Sequence, residues 1–561
     1  MRKEKENDAA FQAVRIGLFA VIDIVLLYLY FYSSCTALTL SSHGMQSVLV
    51  GVPVICLLET AFLHYVAGDG YERLAKRCML VFGAAALAMV LLVAVGDLVQ
   101  SPLMRARSYA SLLPVTDSDA DSTIPTADGT DAIALMDTAS AAKLGDREIG
   151  SLSDVVSQYD VGAYTQINYQ GRPVKAAPLE YSGFWKWSQN RKSGTPGYVL
   201  VDPVTMQASY VKADKGMRYT PSAWFGDNLT RHIHEKYPSM LFGNTHFELD
   251  EDGTPYFVST VFRRKGTFGA LTVKGCLVTD PCTGDITCYS AGSVPEWVDV
   301  VYPGDLLCWQ YNYSAQLAGG FWNSQFGQKG CRKTTELENG ADYGYIAKNG
   351  DIWIYTGVTS VNSDSSNLGF LVANERTGEA RYVSCAGADE ASAMNSAEGE
   401  VQQYGYTASF PSLIRVGNVP TYIMVLKDRS GLVKMYACVN VSQYNQVAAA
   451  STQAECLSRY KKLIAGEISS GDAVSASDAS SESDTSSVES GTDSAAWETK
   501  TITVQAAEPI DKNGNTYLYV LDTDGNIYYA KYTDVLGMMG VGSGSTVTIE
   551  TDGSRFRLPE G

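Results

Sequence analysis

His232, His234 and His246, with Glu235 and Glu248 beside them, are the one concentration of metal-ligating residue types outside the first hundred positions of this chain. A His-x-His pair on a helix turns its rings to different faces, and the His-Glu-x-x-His spacing that puts two rings and a general base on one side is missing. These histidines are therefore expected to serve the surface or the core, with no metal and no cofactor. Ser209-Tyr210-Val211-Lys212 and Ser458-Arg459-Tyr460-Lys461 both have the Ser-x-x-Lys spacing of penicillin-binding enzymes. The first falls on a predicted strand, and neither has Ser-Asp-Asn or Lys-Thr-Gly companions nearby. Gly-x-Ser-x-Gly, a phosphate-binding Gly-Lys-Ser/Thr loop and Cys-x-x-Cys do not occur. No residue is assigned a catalytic role.

Two carboxylates stand where a carboxylate is costly. Asp23 and Glu59 lie inside long apolar runs, and on antiparallel membrane helices both fall a few turns from the same face. A charge at that depth costs roughly 3 kcal/mol on insertion scales, which makes the pair a candidate intramembrane polar site. Protonation or hydrogen bonding inside a helix bundle is the alternative role. A second candidate is aromatic: Trp309, Tyr311, Tyr313, Trp322 and Phe326, joined by Phe321, could stack against sugars or peptide side chains or pack as core beneath hairpins. Of the 11 cysteines, Cys35, Cys56 and Cys78 belong to the apolar region, leaving an even eight. Outside the cytoplasm these permit disulfides, although Cys276 and Cys288 should face opposite sides of their hairpin.

The elements that carry these residues begin with three apolar stretches, Val14 to Tyr32, Ser47 to Ala67 and Cys78 to Gly96, each close to the ~20 residues a helix needs to cross a bilayer. Arg2, Lys3, Lys5 and Arg15 precede the first, and Arg73, Lys76 and Arg77 lie between the second and third, whereas the loop Leu38 to Met45 has neither Lys nor Arg. The positive-inside bias then places the N-terminus in the cytoplasm and everything after Gly96 outside, against the smaller vote of Arg105 and Arg107. Ser34-Cys35 after an apolar run also has the look of a lipoprotein cleavage site, with Tyr32 where a Leu-like residue is usual.

Beyond the helices, a Ser/Thr/Asp-rich stretch, Thr116 to Asp131, is too poor in apolar residues for a core of its own and reads as an acidic stalk over 101–131. A second break, Ser469 to Ser494, contains no Lys or Arg and reads as a solvated linker over 468–498. Between them, 132–467 repeats one pattern. Val199-Leu200-Val201-Asp202, Leu277-Val278-Thr279-Asp280 and Leu371-Val372-Ala373-Asn374 are each followed within a few residues by a Thr-containing turn, with a looser fourth copy at Asp428 to Gly431. Each predicts strand, turn, strand: the Asp or Asn caps its own turn and a Gly supplies positive φ, a requirement that Met206 breaks in the first copy. Lys348-Asn349-Gly350-Asp351 and Tyr169-Gln170-Gly171-Arg172 signal further hairpins, and helices are expected over Ser222 to Phe242 and from Pro303 onward. After Lys500, alternating strands with turns at Asn513-Gly514 and Asp524-Gly525 predict a small OB-like or SH3-like β-barrel over 499–561.

The helix and hairpins of Ser222 to Tyr289 resemble the PepSY type of small extracytoplasmic domain. Asp137 to Arg147, Tyr164-Thr165-Gln166-Ile167-Asn168-Tyr169 and Phe321 to Gln328 look like a family of Gram-positive membrane-anchored envelope proteins, some of them labelled after colicin V production proteins. That resemblance implies an architecture and an envelope location, and brings no catalytic residues.

The fold expected is a three-helix membrane anchor over 1–100, an α+β ectodomain of repeated hairpins and a C-terminal all-β barrel. A formal net charge of −18 excludes a phosphate-neutralising surface for nucleic acid. The function expected is that of an envelope scaffold or ligand-sensing protein without catalysis, with the lipid bilayer and an envelope protein or cell-wall component as partners. An envelope enzyme or transport component is the alternative.

Overall fold

The computed structural model describes residues 2–67, 72–127, 135, 137–337, 340–341, 343–469, 473–475, 498–512, 515–523, 526–531, 535, 544–551 and 556–558. The chain divides into two compact units, Met1–Ser477 and Asp478–Gly561.

The first unit opens with α1 (Arg2–Ser34), α2 (His43–Ala67) and α3 (Glu72–Gln100), which contain apolar spans of 21, 23 and 26 residues, long enough to cross a membrane. Their outward faces are apolar, and Gly83 brings α3 close to α2: a Cβ there would sit 3.9 Å from Leu57. The connection after α1 and the end of α3 both touch the same part of the ectodomain. Leu38 N–H donates to Pro238 O (2.7 Å), Arg264 Nε donates to Ser41 O (2.8 Å), and Phe268 N–H donates to Gln100 Oε1 (3.0 Å). The Phe268 ring lies so close over Gly96 that a Cβ would be 2.5 Å away, which leaves only glycine at that position.

Four antiparallel meanders follow, each stepping outward from its first strands. α4 (Pro102–Ala110), α5 (Ala120–Thr123), α6 (Thr138–Gly150) and α7 (Ser153–Val156) precede the first sheet, whose strands are Tyr159–Val161, Thr165–Tyr169, Arg172–Tyr181, Thr195–Asp202 and Gln207–Met217, with α8 (Phe184–Asn190) inserted. α9 (Leu229–Lys236) leads to the second, Leu241–Leu249, Pro255–Arg264, Leu271–Thr279 and Ile286–Ser290. α10 (Gly304–Leu317) leads to the third, Arg332–Thr334, Gly344–Lys348, Asp351–Ser360, Ser363–Asn374 and Ala380–Gly387. α11 (Glu390–Glu400) leads to the fourth, Thr407–Ala408, Ser412–Val416, Val419–Lys427, Val433–Asn440 and Val447–Ala450, and α12 (Gln453–Ile464) covers its far face.

The inner strands of these sheets converge as propeller blades do. Phe247 N–H donates to Thr165 Oγ1 (3.3 Å) between the first and second sheets, Asn168 Nδ2 donates to Gly350 O (2.8 Å) between the first and third, and Lys143 Nζ donates to the Ser430 carbonyl (2.6 Å) between α6 and the fourth. One apolar cluster fills the space between the first and second sheets around Leu229 and Ile233 of α9, and another lies between the third and fourth around Ala393 and Ala397 of α11.

The repeated turn forms as its residue types dictate. Asp280 Oδ1 accepts from Cys282 N–H (2.7 Å) and Thr283 N–H (3.2 Å), and Gly284 has φ +82°. Asn374 receives Arg376 and Thr377 N–H at 2.8 and 2.9 Å, with Gly378 at +74°. In the first copy Met206 takes the same left-handed conformation, φ +58°. Its side chain packs against both the first-sheet and the fourth-sheet clusters. The exception to the turn rule is thus a wedge at the junction of these two sheets.

Three expectations need correction. The acidic stalk is folded: Val115–Ser118 joins the outer edge of the third sheet in parallel, and Thr126 bridges Arg415. Such a segment needs no core of its own, because the sheet edge supplies its hydrogen bonds, and its few apolar residues Leu112, Leu113, Ile124 and Ala127 are all buried in the ectodomain. Residues 128–134 and 136 lie outside the described residues. The long helix expected over Ser222 to Phe242 is a 3-10 turn, Phe225–Asp227, followed by the two turns of α9, because Asn228 caps a new start by accepting from Arg231 N–H (3.1 Å). At the linker, Ala473 is buried and Val474–Ser475 pairs in parallel with Ala449–Ala450; most of 468–498 lies outside the described residues.

The second unit has strands Glu498–Lys512, Asn515–Asp522, Ile527–Lys531, Thr546–Thr551 and Phe556–Arg557 around a core that includes Val504, Val520 and Ile549. The long first strand pairs with the second through its later half and with Thr546–Thr551 through its earlier half. No closing ladder is seen among the described residues, so the expected barrel is here an open five-stranded order. Asn513-Gly514 and Asp524-Gly525 lie outside the described residues.

Candidate functional site

Where the inner ends of the first, third and fourth sheets meet, they leave a cavity of ≈ 230 Å³. Lys175 reaches into it from Arg172–Tyr181, a strand otherwise apolar from Val174 to Leu179. The side chain is 2% exposed, its Nζ donates to Thr138 Oγ1 (3.2 Å), and it lies 5.4 Å from the centre of the Tyr345 ring. Burial pulls its ammonium down to about 8, with Asp137 acting in the opposite direction. Asp137 caps α6 through Ser140 N–H (2.7 Å) and is also bound by Lys427. Burial opposes its ionised form, but those hydrogen bonds outweigh it and hold the carboxyl below the ordinary carboxylate range. With two ammonium groups to one carboxylate, and Thr138, Gln166, Tyr345 and Ser412 on the wall, the cavity suits a small anionic or polyhydroxylated ligand. Sequence reading missed Lys175. The signal was present, since a lone lysine in an apolar strand demands a partner or a purpose.

A second set of buried charges holds the sheets together. Glu248, fully buried, accepts from Asp299 N–H (2.8 Å), Val300 N–H (3.0 Å) and His246 Nε2 (2.7 Å). Glu375 accepts from Gly304 N–H (3.0 Å) at the start of α10, and Glu390 accepts from Gly357 N–H (2.6 Å). Burial raises the carboxyls of Glu375 to about 8 and Glu390 to about 7.

The residues singled out in the sequence scatter. His246 bonds Glu248, His232 bonds Gly284 O (2.7 Å) and stacks on Tyr219, and no group of three His, Cys, Asp or Glu positioned for a metal occurs among the described residues. Asp23 and Glu59 come together: their carboxyls are hydrogen-bonded between α1 and α2. Cys276 is buried while Cys288 is exposed, on opposite faces of their hairpin.

The aromatic set divides. Tyr311 belongs to the core under the third sheet, and Tyr313 packs on Tyr109 of α4, 5.1 Å between ring centres. Trp309 is 37% exposed, whereas Trp322 and Phe326, stacked at 5.8 Å, are 67% and 79% exposed. Leu113 N–H meets Ser314 Oγ (3.4 Å) just beyond α4, and Ala106 packs on the same cluster as Phe321. α10 therefore runs antiparallel to α4, and its C-terminal continuation to Phe326 points back toward Pro102, where α4 leaves α3.

No family model and no curated protein matches the chain. Among solved structures it is similar to a Bombyx mori GH32 beta-fructofuranosidase at TM-score 0.17 and 10% identity, covering 72% of this chain and 64% of that one. A B. megaterium levansucrase gives 0.18 and 9% over 78% and 97%, and a Phanerochaete chrysosporium exo-beta-1,3-galactanase 0.15 and 13% over 50% and 64%. Likenesses at these scores carry no argument about fold or activity.

Proposed function

We propose that this chain is a non-catalytic, membrane-anchored binding or sensing protein of the cell envelope. Its N-terminus is cytoplasmic, its sheets are extracytoplasmic, and its central cavity takes a small anionic or polyhydroxylated ligand. The observation that carries this reading is Lys175, a buried ammonium facing a cavity rather than an ion-pair partner at contact distance. The Lys/Arg asymmetry of the loops supports the orientation, and the contact of both the α1–α2 connection and the end of α3 with the second sheet supports a single ectodomain side. The partners are the bilayer and an envelope protein or cell-wall component, and the acidic balance disfavours nucleic acid.

The test is thermal unfolding of the full chain in nanodiscs against a panel of small carboxylates, hexuronic acids and phosphorylated sugars. At least one should raise the midpoint in wild type and not in Lys175→Met, and the effect should fade as pH rises through about 8, where the amine loses its charge. Equal responses from both proteins would sink the reading. A reporter active only outside the cytoplasm, fused after Asp131, should be active, and one fused near Gly70 silent; the reverse overturns the orientation.

A second reading, a component of a transport complex, is favoured by the Asp23–Glu59 carboxyl pair. If the pair serves the bundle alone, Asp23→Asn and Glu59→Gln leave function and abundance unchanged. Loss of function at normal abundance assigns it a proton or partner role.

A further inference from the structure

We propose that the pocket between the α1–α2 connection and the second sheet binds the phosphate of an anionic lipid headgroup from the leaflet on the ectodomain's side. The pocket encloses ≈ 370 Å³ and is lined by Thr39, Ser41, Ser239, Arg263, Arg264 and Lys274, among others. Its level is set by the chain: Thr39 and Ser41 lie between Ser34, where α1 ends, and His43, where α2 begins, so they stand at the height at which both helices leave the hydrocarbon. Leu38 and Leu40 of the same connection are 48% and 50% exposed, apolar groups beside a polar pocket, as acyl chains beneath a headgroup require.

The cations divide into one that builds the pocket and two that remain open to a ligand. Arg264 is committed to protein, with Nε on Ser41 O (2.8 Å), Nη1 on Gly269 O (2.9 Å) and Nη2 against His43 Nε2 (2.7 Å). Arg263 and Lys274 are exposed, come together where the second sheet bulges between Val261 and Phe262, and form no ion pair among the described residues. Asp97 is the acid that acts on Arg264, so three cations face one carboxylate in a chain whose overall charge is −18. A guanidinium with an ammonium and hydroxyl donors around it matches a phosphate diester, whose oxygens accept several hydrogen bonds at once. An anionic leaflet adds long-range attraction for such a cluster. The assignment is independent of the ligand reading of the central cavity.

The experiment uses the full-length chain in detergent micelles, with dioleoylphosphatidylglycerol, dioleoylphosphatidylcholine and inorganic phosphate as separate probes. Retained lipid is read by native mass spectrometry and the unfolding midpoint is followed in parallel. Phosphatidylglycerol should be retained in preference to phosphatidylcholine and should raise the midpoint. The Arg263→Gln/Lys274→Gln double variant should bind it roughly tenfold or more weakly, and less steeply with salt. Thr39→Val, which leaves every charge in place, should give a smaller loss and guards against a folding defect in the double variant. Equal retention by wild type and double variant, or no preference between the two lipids, overturns the proposal. So does a midpoint rise produced as well by inorganic phosphate, which would make the site one for a free anion.

Discussion

The sulfurs of Cys438 and Cys456 face each other 3.4 Å apart, one on the fourth sheet and one on α12, both buried. Burial, reinforced by the neighbouring sulfur, raises the Cys438 thiol well above its ordinary value, so neither sulfur is a ready nucleophile in the folded state. Refolding in a glutathione redox buffer should therefore link them where oxidation of the native protein is slow. The bond closes a loop spanning 18 positions and should add about 3 kcal/mol to unfolding. Peptide mapping without the Cys438–Cys456 cross-link after refolding would refute the pairing.

Met206 holds a left-handed backbone in order to wedge two sheets, so its two truncations should differ. Met206→Ala loses the contacts and keeps the strain, whereas Met206→Gly loses the contacts and relieves it. Alanine should be the less stable by about 1 kcal/mol, with both below wild type, in chemical denaturation of the first unit. A glycine variant as stable as wild type would mean the wedge contributes nothing.

Glu375 is raised from an ordinary 4.5 to about 8 by burial. The folded state then binds a proton that the unfolded chain releases, and stability falls as pH rises from about 4.5 through about 8. Glu375→Gln keeps an acceptor for Gly304 N–H and cannot ionise. It should flatten that decline, gaining on the order of 2 kcal/mol relative to wild type between pH 5 and pH 8.5. Parallel stability profiles for the two proteins would show that Glu375 does not titrate in this window.

Trp322 and Phe326 lie at the end of α10 that points toward the exit of α3, exposed and stacked, where aromatic rings suit the water–lipid boundary. In vesicles, the fluorescence lost in Trp322→Tyr should be the component quenched by lipids brominated near the headgroup and spared by iodide. Quenching by iodide alone would place the pair in water, and shielding from both would place it under protein.

Much of the architecture was legible because it rests on local rules. Three apolar runs of membrane length, and turns in which an Asp or Asn accepts from its own backbone beside a positive-φ residue, depend on neighbours in sequence and appear where they were read. The helix after Pro303 is of the same kind.

What the tertiary structure decided is which surfaces those elements share. An acidic stretch becomes a strand because a third-sheet edge 264 residues away accepts it, and a methionine in glycine's place becomes a wedge because another sheet arrives beside it. Lys175 becomes a cavity residue only when three sheets converge, and Trp322 parts from Tyr311 according to which side of α10 meets core. Hairpin and helix signals act over a few residues. Burial, pKa and the lining of a site arise from contacts between segments far apart in the chain, and local sequence pattern does not encode them.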